Sequence, residues 1–391
     1  MKQYGMKTMR QIRHILCLLA AATLTACSQT DDTTAPGGDG QLTIKFTAEP
    51  ATRTMLTGND NVQHVKYVQV YVFEGTEANA AEATCVASEN AGWLQTQPGA
   101  AATQYYTLKT ELTEGTTYTV LAVGLDTKDA DQPTAEQEGA GYAYGLPGAI
   151  KAGETTLDEA IATLAEGRTK ADMAKAELFA GSGEVTIEAN TNKITEITMM
   201  RRVAGVMMYL TNIDPQVSRI VLQLHQQQNT QMPLIAQETD FGSTPLADGT
   251  ADGTADGNIL LDVEITPELL QSEVVTDDDG NILCTKQQGS VLAGAYMIPV
   301  DAPAADADPR PNTLTLIQYK ADDNVFSTRR VLLKNNGEED PDQASYAIRT
   351  NYIYSIGTKN ATTDEPEDIG GKADADIYID GNWQADIVIP M

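Results

Sequence analysis

The sequence predicts a mainly β protein, arranged as tandem β-sandwiches with one or two short helices. Three observations predict it. Apolar and polar residues alternate with period two through most of the chain, the pattern of strands with one buried face. Turn-forming residues bound these runs, as in sandwich folds. The chain has 391 residues, more than one sandwich ordinarily holds, so two domains are expected.

The N-terminus stands apart from the fold. Lys2, Lys7, Arg10 and Arg13 form a basic segment, followed by a short apolar run from Ile15 to Ala22. That run is too short for a membrane-spanning helix, which needs about 20 apolar residues. Leu24-Thr25-Ala26-Cys27 comes next. Basic segment, apolar run, small residues and cysteine, in that order, resemble the lipobox of bacterial lipoproteins. The resemblance implies removal of residues 1–26 and lipidation of Cys27. Several acyl chains, at about 0.8 kcal/mol per buried methylene, hold a soluble domain on a membrane. Residues 27–41 are polar and rich in Gly, Asp and Thr, and read as a flexible tether. Asp31 and Asp32 resemble the surface-export signal of Bacteroidales lipoproteins.

Strands follow in series. Leu42, Ile44 and Phe46 alternate with Thr43, Lys45 and Thr47. Val68, Val70 and Val72 alternate with Tyr67, Gln69, Tyr71 and Phe73, a run fit for burial on both faces. The first half adds 104–110, 118–124, 184–189 and 194–200. The second half adds 203–211, 218–225, 259–265, 291–300, 313–320, 328–334, 346–356, 375–380 and 384–389. One helix is expected among them. Thr156 and Glu159 have capping-box spacing, Leu157, Ile161 and Leu164 share a helical face, and Gly167 stands at the C-cap. This predicts about three helical turns. No Pro/Gly linker marks a boundary. The division is placed near Met199–Arg202, giving domains 42–199 and 200–391.

Composition excludes several functions. The chain carries 26 Lys+Arg against 55 Asp+Glu, a net charge of −29. Loss of the four basic residues of the signal takes the mature chain to about −33. Such a surface repels phosphate backbones and anionic lipid heads, so nucleic acid is not an expected partner. Of four cysteines, Cys17 leaves with the signal and Cys27 carries the lipid. Cys85 and Cys284 either pair in an oxidising compartment or remain buried thiols, and their spacing is no metal motif. His64 and His225 are the only histidines outside the signal, too few for a zinc site or a histidine-based triad. No nucleophile elbow, phosphate loop or dinucleotide fingerprint occurs. No cofactor or metal is expected. The repeat at 247–258 (ADGTADGTADGN) lacks the alternating ligands and terminal Glu of a calcium loop and reads as a surface turn. Asp277-Asp278-Asp279-Gly280-Asn281 reads as a hairpin turn. Trp93 and Trp383 are the only tryptophans, fitting a core better than a sugar platform.

The order of the pieces resembles the fimbrillin family of Bacteroidales type V pili over most of the mature chain. The landmarks are the lipobox and tether, Leu42–Ala48, then Thr52-Arg53-Thr54. Val65–Phe73 (VKYVQVYVF), Tyr118–Gly124 (YTVLAVG), Thr156–Leu164 and Phe179-Ala180-Gly181 follow. Arg201-Arg202-Val203-Ala204 resembles the basic start of a C-terminal domain, and Asn351-Tyr352-Ile353-Tyr354 and Trp383–Met391 its closing strands.

The resemblance implies a pair of transthyretin-like β-sandwich domains and assembly by donor-strand exchange. It implies a lipidated precursor at the outer membrane, cut by an arginine-specific surface protease after Arg53, before Thr54. Leu42, Ile44 and Phe46 would then belong to the released strand, and other fimbrial subunits would be the partners. Glu49-Pro50-Ala51-Thr52-Arg53 is polar and proline-containing, as a cleavable loop should be. Removing an apolar strand leaves a groove and unpaired backbone groups, which a neighbour's strand refills. Ile387, Val388 and Ile389 are suitable donors. A retained first strand would suit the anchor of such a pilus. Two other classes remain open on the residues: a surface glycan-binding lipoprotein of tandem sandwiches, and a hydrolase using paired carboxylates.

Overall fold

Seven strands from the first half of the chain form one sheet: β1 (Leu42–Ala48), β2 (Tyr67–Glu74), β3 (Thr84–Asn90), β4 (Thr103–Thr107), β5 (Thr117–Leu125), β6 (Leu178–Thr186) and β7 (Lys193–Arg201). Their order is β3-β2-β5-β6-β7-β1-β4. The computed structural model describes residues 42–48, 54–55, 65, 67–92, 103–125, 143–145, 150–174, 176–189, 191–235, 258–276, 282–334, 343–359, 364–380 and 387–388.

β2, as its sequence predicts, and β5 are both buried on two faces. Val68, Val70, Val72, Tyr118, Val120 and Ala122 point into a core enclosed by the first sheet. Tyr71, Phe73, Leu121 and Val123 point the other way, into a second core. β6 and β7 pack closely: a Cβ on Gly181 would lie 2.1 Å from the Thr198 carbonyl oxygen, so only glycine fits there.

The second half forms a nine-stranded sheet. Eight of its strands run in one path: β8 (Ala204–Thr211), β9 (Val217–Leu224), β10 (Ile259–Glu264), β11 (Val291–Met297), β12 (Leu314–Lys320), β13 (Val325–Leu333), β14 (Ile353–Ile356) and β15 (Asp374–Asp380). The order is β10-β9-β12-β13-β15-β14-β8-β11, and the two-residue strand Glu367–Asp368 pairs beside β8. Val206, Met208 and Leu210 of β8 enter this sheet's own core with Leu222, Leu316, Val331 and Ile377. Met207 and Tyr209, on the other face of β8, join Tyr71 and Leu121 in the core shared by both halves. The protein is thus mostly β, with two curled sheets in a sandwich-type fold.

The helix expected from Thr156 to Gly167 is not formed. Its capping interaction exists, with the Thr156 amide donating to Glu159 Oε2 at 3.2 Å. It supports only a 3-10 turn, Leu157–Glu159, after which Ala160 takes extended angles. Ile161–Leu164 is a strand, paired with Gln231–Pro233 on one side and Tyr144–Gly145 on the other. Two strand neighbours and the β-branched Ile161 and Thr163 override a helical pattern barely three turns long. Gly167 adopts φ +77°, but in a turn ahead of a separate helical turn, α1 (Lys170–Met173), where the Thr169 amide donates to Asp172 Oδ2 at 2.9 Å. Three strands are also shorter than expected, the one at 291–300 ending at Met297. The strand at 346–356 is reduced to β14, interrupted where Asn351 takes φ +59°. The strand at 104–110 ends at Thr107.

Candidate strand-exchange site

β1 is formed by the alternation LTIKFTA. Its inward side chains are fully buried: Leu42 is 2% exposed and Ile44 and Phe46 are 0%. They fill the first sheet's core beside Val65, Val70, Val120, Phe179, Ile197 and Met199. Burying three large apolar side chains is worth roughly 5–9 kcal/mol in transfer free energy. On the outer face Lys45 pairs with Glu196 at 2.9 Å, and the Thr43 and Thr107 hydroxyls meet at 3.1 Å.

The strand is bonded on both sides. It runs parallel to β7, from Leu42↔Lys193 to Ala48↔Met199, and antiparallel to β4, from Thr43↔Thr107 to Thr47↔Thr103. β1 is therefore second from the edge. The edge itself is β4, five residues long, whose one strand partner among the described residues is β1.

Arg53 and Ile389 lie outside the described residues, as do the side chains of Ile387 and Val388. Thr54 opens a two-residue strand, Thr54–Met55, that runs parallel to Ile387–Val388, with Thr54↔Ile387 and Met55↔Val388 in register. The residue expected after the protease cut and two of the expected donor residues therefore pair within one chain. Cys27, Trp93, Trp383, His64 and all of the repeat at 247–258 but its last residue, Asn258, also lie outside the described residues.

The family model described as fimbrillin-A associated anchor proteins Mfa1 and Mfa2 matches residues 30–385. The chain belongs to this family. No curated protein sequence matches it. Among solved structures similar to this fimbrillin-A associated chain is a protein from Bacteroides eggerthii, provisionally described as a cell adhesion protein. It is 15% identical, with a TM-score of 0.45, covering 91% of this chain and 98% of that one. The tip fimbrial protein Mfa3 from Porphyromonas gingivalis is 11% identical at TM-score 0.39, covering 88% and 99%. The fimbrial anchor protein Mfa2 from Porphyromonas gingivalis is 10% identical at TM-score 0.38, covering 90% and 100%.

In this family member the Arg201–Arg202 pair stands at the junction of β7 and β8 with its polar groups engaged inside the protein. Arg201 ends β7 and is buried, its Nε donating to the carboxylate of buried Glu177 and its guanidinium standing 5.3 Å from the Phe179 ring centroid. Tyr296 of β11 donates its hydroxyl to the same Glu177 oxygen at 3.0 Å. Arg202 donates to the Pro233 carbonyl at 2.9 Å, and burial pulls its pKa down. These groups tie the two sheets together across the shared core. Glu177 could not be singled out in sequence, because its partners lie far along the chain and acidic residues abound.

Cys85 is a free, buried thiol whose pKa burial pushes up to about 11, the Ala87 carbonyl offsetting part of that rise. A thiol so placed is inert to oxidation and exchange. His225 follows β9, and burial holds its pKa below the ordinary range against hydrogen bonds with Thr313 and Gln226. Among the described residues no three His, Cys, Asp or Glu side chains cluster as metal ligands, and no helix is long and apolar enough to cross a membrane.

Proposed function

We propose that this protein is a structural, non-enzymatic subunit of a surface pilus. In this reading residues 1–26 are a signal, Cys27 carries the lipid at the outer membrane, and residues 27–41 are a tether. Residues 42–199 and 200–391 are the two domains. An arginine-specific protease cuts between Arg53 and Thr54, β1 leaves, and the Ile387–Ile389 strand of a neighbouring subunit takes its place.

Family membership supports the pilus role. The observation that carries the exchange step is β1 itself: an N-terminal apolar strand seated in a groove, one strand from the sheet's edge, with its three large side chains buried. Loss of such a strand leaves unpaired backbone on β7 and β4 together with an open apolar slot. Refilling the slot with an isoleucine- and valine-bearing strand restores both.

The test is treatment of purified precursor with an arginine-specific protease. The expected products are a chain beginning at Thr54, seen by N-terminal sequencing, and a ladder of polymers. A chain cleaved at that bond that stays monomeric at high concentration would overturn strand exchange.

The ladders on both flanks of β1 favour a second reading, that of an anchor which keeps β1 and caps the filament at the membrane. It predicts a precursor that resists cleavage after Arg53 and ends a polymer of another fimbrial subunit rather than extending it. The glycan-binding reading gains no comparable support, since both tryptophans that would carry it lie outside the described residues.

A further inference from the structure

β4 poses a problem for strand exchange. Its one strand neighbour among the described residues is β1, so the departure of β1 removes every rung from Thr43↔Thr107 to Thr47↔Thr103. The bond from the Leu108 amide to the Leu42 carbonyl goes too. A five-residue segment with no ladder would drift, and a slot with one wall cannot select or orient a strand.

The opposite edge of the sheet supplies a second hold. Glu89 lies near the end of β3, and its carboxylate gathers donors from β4 and the turn that follows. Tyr106 donates its hydroxyl to Oε2 at 2.7 Å, and the Lys109 amide donates to Oε2 at 3.0 Å and Oε1 at 3.2 Å. The Thr110 amide and hydroxyl donate to Oε1 at 2.8 and 2.6 Å. Gln104 of β4 adds a bond from Nε2 to the Gly92 carbonyl at 2.9 Å. Leu108 is buried, and Tyr106 and Leu112 pack against the same core. The hydrogen bonds to Glu89 and to Gly92 involve no residue of β1, although the core packing is shared with it.

From this geometry we infer that Glu89 is a positioning residue for strand exchange, a clasp that keeps β4 in place as the outer wall of the slot while β1 is absent. The inference rests on the exchange reading above. Hydrogen bonds to an ionised carboxylate are stronger than neutral ones, and several donors converging on one group hold a strand where a single contact would not. Titration behaviour agrees. Burial raises the Glu89 pKa, but the Thr110, Lys109 and Tyr106 donors outweigh it and leave the group below the ordinary range. Tyr106 is driven well above the ordinary phenol range, by burial first and then by the bond to Glu89 and its charge.

The test uses the full precursor as wild type, Glu89→Ala, and the milder Glu89→Gln and Thr110→Ala in case the first misfolds. In the intact chain, hydrogen exchange across 103–110 should quicken by at least about tenfold in Glu89→Ala, the loss expected for a charge-assisted bond, with 117–125 unchanged. After arginine-protease cleavage, a fluorescent peptide of residues 384–391 should bind wild type at least about tenfold more tightly than the variants. Unchanged exchange across 103–110 in all variants overturns the clasp, whatever the peptide does. Equal peptide uptake by wild type and variants overturns it as a slot wall and leaves strand exchange standing. A cleaved wild type that takes up no peptide sinks strand exchange instead, and the exchange rates then decide whether Glu89 still holds the edge.

Discussion

β1 and β15 are the outermost strands of their sheets in sequence, and both are wedged inside rather than laid along an edge. Each runs parallel to one neighbour and antiparallel to the other: β1 beside β7 and β4, β15 beside β13 and β14. The difference is what each would leave behind. Without β1, the path β3-β2-β5-β6-β7 is intact and only β4 is stranded. Without β15, the second sheet parts through its middle, with β10-β9-β12-β13 on one side and β14-β8-β11 on the other. A terminal strand is replaceable when its neighbours have somewhere else to be held, and depth in the sheet matters more than the number of rungs it makes.

That contrast can be broken most directly by truncation. A chain ending at Lys372 should show no cooperative thermal transition, whereas the chain cleaved after Arg53 should keep one. Equal survival of both would end the comparison. Next in size is the tie between the halves. Glu177→Ala strands a buried guanidinium and should cost about 3–5 kcal/mol by urea denaturation. Phe46→Ala should destabilise the uncleaved precursor by about 3–5 kcal/mol. The same substitution should have no effect once residue 46 has left with β1, so comparing denaturation before and after cleavage isolates the contribution of the strand. Acid should act on the first sheet's edge. Glu89 has a depressed pKa, so its contribution is fully present above the ordinary glutamate range and is lost as pH falls through its own lower value. Hydrogen exchange across 103–110, corrected for intrinsic rate, should rise in that window, and Glu89→Gln should abolish the pH dependence. The smallest effect belongs to Lys45→Ala. It removes a largely solvated ion pair with Glu196 and should change stability by no more than about 0.5 kcal/mol.

Most of the strands were legible because burial imposes a period of two on them. Large apolar residues fill the inward positions of β1 and β2 and most of those of β5 and β8, where Ala122 and Ala204 are small, and their burial follows the sequence. β3 was not legible. Its inward residues are Cys85 and Ala87, small enough to hide the alternation, its one large apolar residue, Val86, is exposed, and the rest of TCVASEN is polar. The spacing at 161–164 fits both periods, and only partners from 231–233 and 144–145 decide between them. At the candidate site, β1 could be picked out by its own pattern. Its position between β7 and β4 could not, because that depends on pairing across long stretches of chain. Glu89 is one of many acidic residues, and nothing local distinguishes a clasp from a solvated side chain.

The parallel course of β1 and β7 has a mechanical consequence. A pull that enters at Leu42 and is resisted at Arg201, where the chain passes on to β8, draws the two strands in opposite directions along their length. Every rung from Leu42↔Lys193 to Ala48↔Met199 then bears the load together. Tension applied at Leu42 is for that reason a poor way to extract β1. In the proposed exchange, an invading strand that unzips the ladder one rung at a time would meet far less resistance, so the joint would be stiff under drag yet open readily to assembly.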